Sequence, residues 1–488
     1  MEAVAQRPKP LTRTQNVALA ILAAVAIWSF SPLTPLTIAL LAVSVLFLIG
    51  LKRPVWAMAA FLISQLTATS YMVDVPFITI SLRLLLLLLI GLILWRSTTD
   101  EKIDLGPMAR RVIIPAVALL VISVMANLAN TGFDYVFRDF RNMIVGLLIV
   151  IFMPAVIRNT KDLKILCGVA FIGVTASALV GLFQHYQFFG LGETTLIPDF
   201  FEQRSAERGL RVPGMAETEL ELSFALSVVL PVVLGVYLAK GIKKDTRWLL
   251  LVSAVVIGLA VYFTFTRSAL LAMFLGLAAL PLFFKTRIRP EFILIIVLFG
   301  VGIIAATGMM DSQFLGGRSE EVQEESSVSR QILWQSGTAI AIDYPILGVG
   351  GDRFAEVSTG YASEVDTELL AWETERYWGY SSLGTQPPHN DFLMLWICYG
   401  TLALAFYIWL YIVILRVLAN CYQVAKTRFI RGLSIGLAAA FIAYAANAFY
   451  HNLFVTIPLF WILAGLALAT AKLALKSPGQ KRREVSHS

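Results

Sequence analysis

Pro387-Pro388-His389-Asn390-Asp391-Phe392-Leu393 carries the chain out of a long polar segment, roughly Asp311 to Asn390, and into an apolar run over 391–415. About 20 apolar residues in a row cover the hydrocarbon core of a bilayer as a helix, so this run reads as a membrane span. Runs of the same kind recur near 17–32, 35–50, 55–71, 77–95, 112–130, 141–157, 163–189, 220–240, 247–265, 268–284, 291–309, 431–449 and 454–472. Hydrophobic residues make up 58% of the chain, charged residues 15%, and mean hydropathy is +0.76, well away from the soluble balance. The expectation is an all-α, polytopic transmembrane bundle of about 14 spans. Its polar chemistry must be concentrated in a few positions.

The connections between spans alternate in charge. Basic ones are Lys52-Arg53, Arg96 to Arg111, Arg158 to Lys164, Lys240 to Arg247, Lys285 to Arg289, Arg416 to Arg431 and Lys476 to Arg483. With an even number of spans they all share a side with the basic N-terminal stretch Met1 to Gln15, and the positive-inside rule makes that side cytoplasmic. Met1 to Gln15 shows no small-residue cleavage site and reads as a retained tail. Because the basic residues sit in short loops, the net charge of +7 does not point to nucleic acid. The three cysteines, Cys167, Cys398 and Cys421, have no metal-ligand or disulfide-framework spacing. The organisation is read as a bundle over 1–309, a large outer loop or cap over 310–390, and further spans with a cytoplasmic tail over 391–488.

The opposite, outer face carries Asn130 to Arg141, Gly190 to Glu219, the tight turn Thr264-Phe265-Thr266-Arg267-Ser268, and the long segment ending at Asn390. Within that segment, apolar residues from Ser329 to Ala341 have helical spacing. The pattern stops at Asp343-Tyr344-Pro345 and passes into Gly348-Val349-Gly350-Gly351. Leu369 to Tyr380 reads as a second short amphipathic piece, and together these predict a small helical cap.

Three of the four histidines fall on this face. His389, between a rigid di-proline and a span, is a solvent-reachable imidazole that titrates near neutral pH, and a candidate general base. His451 is its rival, and His185, within Phe183-Gln184-His185-Tyr186, reads as part of an aromatic interfacial belt. Arg267 stands between two spans, where a guanidinium close to lipid needs a polar cavity or an anion. Arg211 lies just ahead of an inbound span, and Arg318 and Arg330 flank Glu320-Glu321 and Glu324-Glu325. Guanidinium forks suit diphosphate oxyanions, although any one of them, Arg318 above all, also reads as an interfacial anchor. Trp372, Tyr377, Trp378 and Tyr380 either stack on sugar rings or rest on the membrane, and Glu364, Asp366, Glu368, Glu373 and Glu375 read as a solvated acidic face.

Three patches, in order, resemble the O-antigen ligase and polymerase superfamily of bacterial envelope glycan assembly. They are Arg211-Val212-Pro213-Gly214, Thr266-Arg267-Ser268-Ala269, and Arg330-Gln331-Ile332-Leu333-Trp334 with Pro345–Gly350 and then His389-Asn390-Asp391-Phe392-Leu393 and Gly400. The chain departs from the family after Gly214, reading Ala216-Glu217-Thr218-Glu219-Leu220 where a Pro-Asn pair is common. The resemblance implies periplasmic-face transfer of a glycan from undecaprenyl diphosphate to a sugar hydroxyl at the bacterial inner membrane, without a metal or other cofactor.

In that chemistry Arg211, Arg267 and Arg330 bind the diphosphate, His389 takes the acceptor proton, and the anomeric centre inverts. Arg318, His451 and Asn390 are secondary candidates. The partners implied are the lipid-linked donor, a glycolipid or glycan acceptor, and membrane lipids. Ligase is favoured over repeat-unit polymerase on the Pro345–Gly350 and His389 pattern. A lipid or solute transporter is the reading of another class, but the spans are largely uncharged, Arg83 excepted. An alkaline phosphatase fused after residue 365 is expected to be active in cells and one fused after residue 425 silent; the opposite pattern would invert the topology.

Overall fold

The structure, a computed structural model, describes residues 49–50, 53–67, 72–75, 78–81, 87, 89–94, 104–186, 212–216, 218–239, 242–283, 320–351, 353–369, 371, 386–454 and 458–475. Its helices are α1 (Pro54–Thr67), α2 (Ala109–Asn130), α3 (Phe133–Val156), α4 (Thr160–His185), α5 (Glu219–Leu238), α6 (Lys244–Phe263), α7 (Arg267–Phe283), α8 (Glu320–Asp343), α9 (Phe354–Ser358), α10 (Asp391–Val424), α11 (Arg428–Tyr450) and α12 (Leu459–Leu475). A 3-10 turn, Thr359–Glu364, follows α9. Among the described residues six helices, α2, α4, α5, α6, α10 and α11, are long and apolar enough to cross a membrane, and four shorter apolar helices accompany them. This is the architecture of a multi-pass membrane protein.

The helices follow the predicted spans closely, except that α3 begins at Phe133, eight residues before the predicted 141 and inside the Asn130 to Arg141 stretch read as an outer loop, and with two further differences. The predicted span over 77–95 begins instead in a strand. Ile78–Ser81 pairs antiparallel with Met72–Val75, Val75 opposite Ile78 and Met72 opposite Ser81. β-branched residues alternating with Asp74, Thr79 and Ser81 suit a ladder better than a helix, and the helical part of the run lies further on, at 87 and 89–94. The other difference is α10, which runs nine residues beyond 415 to Val424. Predicted spans 17–32 and 291–309 lie outside the described residues, as does all of 35–50 but its last two; so do Arg83, Arg211, Arg318, Trp372, Glu373, Glu375, Tyr377, Trp378 and Tyr380.

The middle of the bundle is α5 against α11, with α7 packed along α11. Gly235 of α5 meets Gly432 and Gly436 of α11 so closely that no Cβ fits on it. Small residues let two backbones approach where lipid supplies no hydrophobic drive between helices. Beside this seam, Tyr407, Tyr444, Phe441 and Phe460 are fully buried and close the centre with large rings.

α10 is broken nine residues in, at Gly400 (φ 81°, ψ 179°). A break inside a membrane helix strands backbone polar groups that lipid cannot satisfy. The loop after α8 satisfies them. Val349 and Gly350 N–H groups donate to the carbonyls of Ile397 and Cys398, each at 2.9 Å, and Thr401 N–H donates to Pro345 O at 2.8 Å. Asn127 and Asn130 of α2 hold the same loop: Asn127 Oδ1 accepts from Gly351 N–H at 2.7 Å, and Asn130 Nδ2 donates to Gly348 O at 3.2 Å. The Pro345–Gly351 stretch is therefore a plug for a discontinuous helix. It anchors the end of α8 to the bundle.

Gly400→Ala is expected to lower the melting temperature of the purified protein by several degrees. A positive φ with extended ψ is essentially confined to glycine and costs another residue about 1–3 kcal/mol, and a Cβ there runs into the Ile346 carbonyl. Unchanged melting would mean that the plug contributes nothing to the fold.

Candidate active site

Four pieces of chain meet at the end of the bundle where α10 begins. They are the start of α7, the middle of α8, the residues before α10, and the chain leaving α11. Each is local in origin. The turn between α6 and α7 is tight, with Phe265 at φ 50° and Thr264 Oγ1 donating to Val261 O at 2.7 Å, and it sets Arg267 and Ser268 at the first turn of α7. α8 presents Arg330 and Trp334 one turn apart on the side facing α10 and the end of α11.

His389 takes a left-handed backbone conformation, φ 50°, uncommon for a residue with a Cβ and therefore a point where structure is being imposed. What imposes it is a bracket on both neighbours. The Trp334 indole N–H donates to Pro388 O at 2.8 Å, and Asn390 N–H donates to Asn452 Oδ1 at 2.8 Å. Asn390 caps α10, its side chain accepting from Leu393 N–H at 3.1 Å. The side-chain oxygen serves the helix start, so the capping bond fixes where Asn390 stands beside His389. Asp391, buried at 3% exposure, accepts from Leu453 N–H at 2.6 Å and from Phe454 N–H at 3.0 Å.

The His389 and His451 rings lie 6.4 Å apart between centroids, and His451 Nε2 is 2.8 Å from Ser268 Oγ. The Arg330 guanidinium sits over the Tyr450 ring at 6.0 Å. Burial weakens the charged form of Arg330, Tyr450 supports it, and the positive charge of Arg267 opposes it. Arg267 and Arg330 are thus within electrostatic reach of each other. Arg330 is half-buried while Arg267 is exposed, not enclosed in a cavity as its place between two spans suggested, and two like charges within reach of each other favour an anion between them.

Both histidines are pushed toward the neutral form. Burial lowers the pKa of His389, and the Arg330 charge lowers it further. His451 is pushed down to about 3 by burial first, then Arg330, then His389. A neutral imidazole keeps a lone pair with which it can take a proton, while burial and the nearby cation weaken it as a base.

The structure thus brings His389, Arg267, Arg330, His451 and Asn390 together. Arg211 and Arg318 lie outside the described residues, but the chain just after Arg211 is held at the same end of α4. Gly214 exchanges two hydrogen bonds with the Gln184 side chain, at 2.9 and 3.1 Å. His185 stacks at 4.1 Å on Phe263, an aromatic cluster as expected for an interfacial belt. Glu364, Asp366 and Glu368 are exposed. Sequence reading assigned no role to Trp334, Asn452 or Ser268, because each acts through a partner at least 54 residues away.

Residues 249–408 match the family model described as O-antigen ligase, a stretch running from within α6 past the break in α10. The match takes in Arg267, Ser268, Arg330, Trp334 and His389 and covers about a third of the chain. No curated protein matches the chain at a significant level.

Because the imidazolium forms of both rings are disfavoured, nitrogen-15 NMR of histidine-labelled protein is expected to show His389 mostly neutral at pH 6.5, where an ordinary histidine is half protonated. Arg330→Gln is expected to raise its midpoint part of the way, since burial is the larger cause. A wild-type midpoint at or above 6.5 contradicts the geometry.

Proposed function

We propose that the protein transfers a glycan from undecaprenyl diphosphate to a sugar hydroxyl at the periplasmic face of the inner membrane, in the manner of an O-antigen ligase. One observation carries this reading. The segment that matches the O-antigen ligase family brings a strained, neutral histidine and two arginines to one end of a membrane bundle. That is the set a diphosphate-leaving transfer needs: a base for the nucleophile and fixed positive charge for the leaving group.

In this mechanism the acceptor hydroxyl oxygen attacks the anomeric carbon from the face opposite the diphosphate. The bond between that carbon and the diphosphate oxygen breaks, and its electron pair leaves with the undecaprenyl diphosphate. His389 takes the hydroxyl proton as the new glycosidic bond forms, and the anomeric configuration inverts. Arg267 and Arg330 hold the negative charge that builds on the diphosphate, with Arg211 proposed as a third cation. Guanidinium is suited to this because it stays charged even where burial and a second cation oppose it. Trp334 and Asn452 take no part in bond making; they brace the residues on either side of His389.

Purified protein in liposomes with lipid-linked donor and glycolipid acceptor is the direct assay. His389→Ala is expected to lower kcat by about a hundredfold or more while the protein still inserts and folds. Arg267→Ala and Arg330→Ala are expected to lower kcat/KM for the donor by at least tenfold. Full activity in His389→Ala would remove the mechanism, and flux across the liposome without covalent product would make the protein a transporter. In a deletion strain, uncapped lipopolysaccharide with long lipid-linked chains accumulating marks a ligase; single-repeat products mark a polymerase.

A further inference from the structure

The hydrogen bond between Ser268 Oγ and His451 Nε2, 2.8 Å long and closed across 183 residues, has no part in the chemistry above. Ser268 follows Arg267 directly, in the first turn of α7. His451 is the residue that ends α11, with its ring against Phe224 at 4.8 Å. Its two neighbours both serve the site: Tyr450 lies under Arg330, and Asn452 holds the amide of Asn390. The pair therefore spans the gap between the arginine-bearing start of α7 and the loop that positions His389.

A neutral imidazole nitrogen either donates or accepts, and the choice fixes what the serine offers. If Nε2 accepts, the Ser268 proton is consumed and only lone pairs remain to face the pocket. If Nε2 carries the proton, it donates to Ser268 Oγ and the hydroxyl proton is free to point outward. Next to Arg267 and within reach of the Arg330 charge, an outward proton meets an anion favourably and outward lone pairs do not.

We infer that His451 donates to Ser268 and so turns the Ser268 hydroxyl into a neutral hydrogen-bond donor for an oxygen of the polyprenyl diphosphate beside Arg267. This rests on the transferase reading. Ser268 is then a substrate-binding residue and His451 a positioning residue acting through it. No bond is made or broken at either side chain. The contribution is one hydrogen bond that strengthens as charge collects on the leaving diphosphate.

The same arrangement explains why two histidines 6.4 Å apart do not duplicate each other. Nε2 of His451 is committed to Ser268, and a further proton on that ring would add positive charge beside Arg330 and His389. His389 moves the proton; His451 orients a donor.

The test measures undecaprenyl diphosphate binding, and donor kcat/KM, with the full-length protein in nanodiscs. Ser268→Ala is expected to weaken binding about tenfold, the size of one hydrogen bond to a charged group. His451→Ala is expected to weaken it as much, and the double variant no further, because the two act as a unit. His451→Gln, whose amide N–H reaches the same place, is expected to recover most of the loss, and the acid limb of the pH–rate profile is expected to stay where it is in every variant.

Wild-type binding in Ser268→Ala would overturn the inference, as would His451→Gln being as impaired as His451→Ala. Should His451→Ala fail to fold, Ser268→Ala, which removes a single oxygen, decides the matter. A wild-type protein that binds no undecaprenyl diphosphate defeats the transferase reading itself, a different result from loss of the Ser268 contribution alone.

Discussion

The carboxyl group of Asp391 ties the start of α10 to the chain leaving α11, and the site hangs from that tie. It accepts the amides of Leu453 and Phe454 from within the bundle, at 3% exposure. Those amides sit where neither water nor lipid can replace the acceptor, so losing it would cost about 1–3 kcal/mol for each stranded donor. On one side of the tie are His389 and Asn390, and on the other are His451 and Asn452. The bond from Asn390 N–H to Asn452 and the bond from Trp334 to Pro388 then remove the remaining freedom of His389. If His389 is the base of the proposed transfer, this stiffness would hold it ready for the acceptor hydroxyl at the cost of a strained φ.

Charge is arranged around that rigid point so that one cation does two tasks. In the proposed transfer Arg330 would supply positive potential for an anionic leaving group, and the same potential adds to burial in disfavouring the protonated forms of His389 and His451. A diphosphate seated between Arg267 and Arg330 would cancel much of that potential, and His389 would then become more basic when a donor is bound than when the site is empty. Such coupling favours proton uptake in the loaded state over the idle one. Burial, the larger cause of both shifts, comes from helices that pack at this end of the bundle regardless of charge.

The discontinuity in α10 shows how α8 and the loop after it are built into the helical bundle instead of resting on it. The loop Pro345–Gly351 lends its N–H groups and carbonyl to the opened turn around Gly400, and Asn127 and Asn130 fasten the loop to α2. α8 ends in this loop, so Arg330 and Trp334 are positioned by a chain of hydrogen bonds that runs into the bilayer region. The glycines at 348 and 400 have positive φ, which is why this interlock needs glycine at both places.

Much of this protein could be read from residue order. Apolar length placed most of the described helices. The placement of His389, Arg267 and Arg330 at span boundaries singled them out, because charged and titratable groups are costly in lipid and so are conspicuous there. The hairpin at Met72–Ser81 was missed, since a short alternating run next to an apolar one looks like the start of a span until its partner strand is seen. What orients His389 was equally hidden. Its supports, Trp334 and Asn452, are 54 and 62 residues from the backbone groups they hold, and the Ser268–His451 bond closes over 183 residues. Local sequence determines which segments enter the membrane and which groups are chemically able, because partition free energy and side-chain chemistry belong to each residue. Only the tertiary structure decides which of those groups share a pocket, because a hydrogen bond between distant segments has no trace in either one alone.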